Sequence, residues 1–204
     1  MTWKIVNTLA LLACVLESLL IECQEKKMTP YLKYVNEIVL SVAQEMTKEY
    51  GLEYMGSGGK MPYDVEEIDI MFSMFHNASI TKARQIGITA AQKLIKKINE
   101  HQSIQPYLHY HPFTSDNIWI TISFYDKNGE YYKNDLATFA CLNGKVIYTK
   151  AEIHKIHSQG VICGETGKYL IPPEDKEKEE LVTILRETYE EAEAIVERET
   201  QAKP

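Results

Sequence analysis

Between positions 106 and 113 the chain reads Pro106-Tyr107-Leu108-His109-Tyr110-His111-Pro112-Phe113, a histidine-bearing aromatic run closed by proline at both sides. In an extended segment, side chains two residues apart point the same way, so His109 and His111 present paired imidazoles of the kind that bind zinc. A centre of that kind needs a third ligand, and His154, His157 and Cys163 are the available ones. The spacing does not demand such a centre. Tyr- and Phe-rich loops more often plug the end of a sheet or face a partner. We therefore read Tyr107, His109, Tyr110, His111 and Phe113 as a partner-facing loop, with no cofactor and no metal assigned. A metal-dependent enzyme using the histidine cluster is the alternative.

Other signals for chemistry are weaker. Gly56-Ser57-Gly58-Gly59-Lys60 is glycine-rich and ends on a lysine, but a phosphate-binding loop follows Gly-x-x-x-x-Gly-Lys-[Ser/Thr] and opens a helix. Here Met61 and Pro62 lead toward a strand, so the run reads as a hairpin-type connection. Asp64, Glu66, Glu67 and Asp69 are acidic, yet strand alternation spreads them over both faces and supplies no calcium-loop spacing. His154 and His157, three apart, suit a helical turn and are read as surface residues. No Gly-x-Ser-x-Gly or His-Glu-x-x-His occurs. Cys141 and Cys163 could pair outside the cytoplasm, and are otherwise buried thiols.

The elements that must position the loop are clearer. Ile68, Ile70, Phe72 and Met74 alternate with polar residues, as in a strand with one buried face. Asn77 and Ser79 offer helix caps, and Ala83, Gly87, Ala90, Leu94 and Ile98 form a helical stripe whose small residues permit close approach to a sheet. Before it, Thr29-Pro30 starts a helix with a stripe of Leu32, Val35, Val39, Val42 and Met46, ended by Gly51. After the loop, Ile118, Ile120, Ile122 and Phe124 mark a strand, residues 136–142 its partner, and Asn143-Gly144 a hairpin into Val146 and Tyr148. Pro172-Pro173 reads as a hinge, and residues 174–201 as one charged helix with a stripe of Leu181, Leu185, Ala192 and Val196.

At the N-terminus a lysine precedes a run over residues 5–16 that is apolar apart from Asn7 and Thr8, interrupted by Glu17 and resumed over Leu19 to Ile21. That satisfies the charged start and apolar run of about 7–15 residues of an export signal. It reaches the ~20 residues of a spanning helix only by carrying Glu17 inside. A buried core helix is the third reading. Leu11-Leu12-Ala13-Cys14 also looks like the lipobox of bacterial lipoproteins, which makes Cys14 the candidate lipidation residue. The 204-residue chain has a net charge of −7, which argues against nucleic-acid binding.

Gly56-x-Gly58-Gly59-x-Met61-Pro62, Pro106-Tyr107-Leu108 and Pro112-Phe113-Thr114 resemble a group of short, uncharacterised exported proteins of intracellular bacteria, over residues 29–149. The resemblance implies a bacterial exported protein and no activity. The element order is also similar to small sandwich domains of longin or roadblock type, which act as binding platforms.

The expected fold is an α+β two-layer sandwich: an antiparallel sheet of 4–5 strands with helices mainly on one face. To it are added an N-terminal apolar helix and a C-terminal charged helix. The expected organisation is a signal or membrane anchor over 1–23, a core over 28–171 and the charged helix over 172–204. The expected function is a non-enzymatic binding module, exported or tethered to a membrane through its N-terminus, in the periplasm or cell envelope. It would meet a protein partner through the aromatic loop, a sheet edge or the C-terminal helix. A cytosolic complex subunit is the remaining alternative.

Overall fold

The computed structural model describes residues 30–157, 161–162, 169–171 and 175–202. Residues 1–23 with Cys14, and also Cys163 and the prolines at 172–173, lie outside the described residues.

Helix α1 (Pro30–Tyr50) buries Val35, Val39, Val42 and Met46, the face that its spacing predicts. Strands β1 (Glu53–Lys60) and β2 (Glu67–Met74) pair antiparallel. Helix α2 (Ile80–Glu100) follows, capped by the Ser79 hydroxyl, which accepts a hydrogen bond from the Lys82 amide. Strands β3 (Ile118–Phe124), β4 (Leu136–Leu142) and β5 (Lys145–His157) form the antiparallel meander. Asn143 and Gly144, both at positive φ, make its second turn. A short pair, β6 (Val161–Ile162) with β7 (Tyr169–Ile171), precedes strand β8 (Asp175–Thr188) and helix α3 (Tyr189–Gln201).

The α+β class holds, but the sheet has six strands in the order β1-β2-β3-β4-β5-β8, and it is mixed. An all-antiparallel sheet of 4–5 strands is corrected in two places. First, β2 and β3 are parallel, in register from Ile68↔Ile118 to Met74↔Phe124. The cause is α2: at 21 residues it carries the chain back about 30 Å. That returns it to the end where β2 began, so β3 must run the same way.

Second, residues 174–201 are not one helix. Asp175–Thr188 is the sixth strand, paired to β5 from Lys145↔Thr188 to His157↔Asp175, and only Tyr189–Gln201 is helical. The helix starts where Thr188 and Glu191 form a reciprocal capping box. Tyr189, Ala192 and Val196 are buried, and α3 packs beside α2. The 154–157 stretch is likewise strand and no helical turn.

The core lies between the helices and the face of the sheet formed by Ile68, Ile70, Phe72, Ile120, Ile122, Phe139, Val146 and Tyr148. Gly87 is the point of closest approach: a Cβ there would stand 2.1 Å from the Phe139 ring. Cys141, buried in the same layer, is a free thiol, and burial pushes its pKa up to about 12.

One charged pair crosses this core. Arg84 on α2 donates through Nε to Glu187 Oε1 (2.7 Å) and through Nη2 to Oε2 (3.1 Å). Tyr148 Oη donates to Glu187 Oε1 at 2.5 Å, and the guanidinium lies 5.6 Å from the Tyr148 ring centroid. Glu187 therefore locks β8 to both β5 and α2.

Two substitutions test these contacts by chemical denaturation. Gly87→Ala should cost about 2 kcal/mol or more through overpacking against Phe139. Arg84→Met should cost about 3 kcal/mol, because it leaves the Glu187 carboxylate buried without its cation.

Candidate functional site

The loop after α2 is tied to the segment before β2 by backbone hydrogen bonds. The Val65 amide donates to Tyr107 O (2.7 Å) and the His109 amide to Val65 O (3.0 Å), which makes a parallel bridge between Val65 and Leu108. Both bridge residues are buried. Residues next to a bridge point to the opposite side, so Asp64, Glu66 and His109 are turned outward together. His109 Nδ1 lies 2.7 Å from Asp64 Oδ2, and one ligand-type atom from each of the three residues falls within 4.8 Å of the others. Val65 and Ile68 are both buried although three apart, so the alternation slips between them and separates Glu66 from Asp69.

Beside this trio is a polar recess of about 510 Å³ whose lining includes Lys60, Glu66, Tyr110, His111, Asn117 and Asn143. Its walls are braced. Lys60 forms an ion pair with Glu66. Asn117 completes a capping box with Thr114, and its side-chain amide reaches the Glu66 carbonyl at 3.5 Å. The Gly144 amide donates to Ser115 O (3.2 Å), and a Cβ on Gly144 would meet Asp116 Oδ1 at 2.5 Å.

The loop residues named from sequence divide into two groups. Phe113 is buried in the core, with its peptide held from both sides by the Asn99 side chain (2.8 and 2.9 Å). Tyr107 is half-buried near Tyr31 and Tyr34, with ring centroids 6.0 and 6.3 Å away. These two anchor the loop from its inner side. His109, Tyr110 and His111 are exposed, and Tyr110 sets its ring edge-to-face with His109 at 4.5 Å.

The chain bends through 109–112 and is not extended there, so His109 and His111 do not form a common ligand set. His109 turns to Asp64, while His111 lines the recess. His154, on β5, is 3.5 Å from Glu152 and joins neither. Asp64 and Glu66, read from sequence as a solvated edge, are the residues that do meet His109. The available signal was the pair of apolar residues, Val65 and Leu108, each flanked by polar side chains.

On the opposite face of the sheet, which none of the described helices covers, Asp69 stands in register with Gly58 on β1 and Trp119 on β3. Its Oδ1 is buried without a hydrogen-bond partner. Burial, with a smaller contribution from Glu67, pushes its pKa up to about 6. Trp119 and Met71 on this face are 43% and 48% exposed, so they cover it only in part.

No protein-family model, curated protein or solved structure matches this chain.

The Asp69 carboxyl binds its proton more tightly when folded than at the ordinary value of 3.8. The folded state therefore holds more protons than the unfolded state between those two pKa values, and stability falls as pH rises from about 4 to about 6. Asp69→Asn should flatten that part of the profile and be more stable than the parent at pH 7, read as thermal midpoint against pH.

Proposed function

We propose that this chain is a non-enzymatic binding module, exported or held at a membrane by its N-terminal segment, that receives a protein partner at the recess beside the 107–113 loop. The observation that carries the reading is the division of labour within that loop. Tyr107 and Phe113 hold it from inside, while Tyr110, 48% exposed, and His111 stand at the mouth of a recess with a fixed wall. A tyrosine held on a braced backbone offers large contact area at small entropic cost, which is what interface anchors need.

The polar groups of the wall are already engaged with one another, as in Lys60–Glu66 and Asn117–Thr114. That favours recognition over turnover. α3 spends its apolar face on α2, so the loop is a better partner surface than the C-terminal helix.

The tether belongs to the same proposal. Its support is the apolar run over residues 5–16, the Leu11–Cys14 pattern and the resemblance to exported bacterial proteins. No described helix is long and apolar enough to cross a membrane.

A photo-crosslinking residue at His111 of the full chain should capture a specific protein, one at the exposed Leu40 of α1 should not, and Tyr110→Ala beside the His111 crosslinker should abolish capture with the fold intact. Equal capture at both positions would sink the recess as the binding surface. Fractionation with mass spectrometry of the mature N-terminus tests the tether. A soluble cytosolic protein that keeps its whole N-terminus would remove export from the proposal.

A further inference from the structure

We propose that Asp64, Glu66 and His109 form a binding site for a divalent cation of the zinc type. This site differs from the His109–His111 pairing suggested by spacing, and it needs no partner protein. Three donors converge: an imidazole nitrogen and two carboxylate oxygens, mutually within 4.8 Å. Ligand atoms around one zinc, each bound at about 2.0–2.2 Å, stand about 3.4 Å apart. His109 and Asp64 are already closer than that, at 2.7 Å, so side-chain rotation suffices to admit the ion. The backbone beneath is fixed by the Val65–Leu108 bridge.

The donor set selects the ion. Calcium and magnesium take all-oxygen shells, and calcium takes more ligands than three side chains supply. One nitrogen with two carboxylate oxygens suits zinc or its first-row neighbours, with the remaining position open to water.

A second feature bears on the same point: the cluster already draws a cation to itself. The Lys60 ammonium is paired with Glu66, on a side chain that is two-thirds exposed to water. In the metal-free protein this tethered charge neutralises one carboxylate, and a bound divalent ion displaces it. Lys60 is thus a competitor of the metal, and its removal is read as a change in metal affinity.

The test is calorimetric titration of the chelator-stripped full chain with ZnCl₂, repeated with Co²⁺ for its ligand-field spectrum. One saturable site is expected, with a nitrogen and oxygen spectrum lacking the thiolate charge-transfer band. Asp64→Asn and His109→Gln should each weaken it at least about tenfold. His154→Gln should leave it unchanged. Lys60→Met should tighten it about three- to tenfold by removing the competing charge.

Absence of saturable uptake, uptake that survives both Asp64→Asn and His109→Gln, or weakening on Lys60→Met would each overturn the site. Because the titration contains no partner, such a result leaves the binding-module reading standing, and loss of partner capture leaves this one standing.

Discussion

The contact between Gly87 and the Phe139 ring sets the distance between the two layers. With only a hydrogen in place of a side chain, α2 lies flush on β3 and β4, and Ala83, Ala90, Leu94 and Ile98 reach the sheet along the rest of the helix. Every later element inherits this placement. The end of α2 delivers the loop at residues 104–114 to the end of the sheet where β2 and β3 both begin. α1 and α3 flank α2 in the same layer. The loop's chemistry is thus positioned by helix-on-sheet packing at a distance, with Asn99 on the last turn of α2 gripping Phe113 directly.

Within that frame the recess and the trio are products of backbone pairing. A single bridge between Val65 and Leu108 turns Asp64, Glu66 and His109 to one side and buries the apolar residues between them. The same loop therefore has a structural inner side, with Leu108 and Phe113 buried, and a chemical outer side, with His109 turned toward Asp64 and Glu66. Proline at 106 and 112 confines the run, and the aromatic residues nearest its ends are the ones that are buried or half-buried.

The β2–α2 unit and the β3–β5 meander were legible because their patterns are local: alternation, a capped small-residue stripe and an Asn-Gly turn. What escaped was non-local. Whether β2 and β3 run parallel depends on how far α2 returns the chain, which alternation within either strand does not encode. Residues 174–201 misled because Leu181, Leu185, Ala192 and Val196 fit a helical stripe, while Val182-Thr183-Ile184 and the Thr188-x-x-Glu191 box mark strand and helix start. The charged sequence over 176–180 suits an edge strand, where charge blocks further pairing. The loop stands out by its composition. Its pairing with Asp64 and Glu66 was not visible, since those residues lie across a 21-residue helix from His109.

The ion pair between Arg84 and Glu187 spans 103 positions of sequence. A ribosome adds about 5–20 residues per second, so several seconds separate the appearance of the guanidinium from that of its carboxylate. During that interval the first five strands of the sheet can pair, but α2 seats Arg84 in an apolar layer with no counter-charge. Completion of the domain is thereby deferred until β8 arrives, and from the synthesis of β5 until that point the nascent chain carries an unfinished sheet edge.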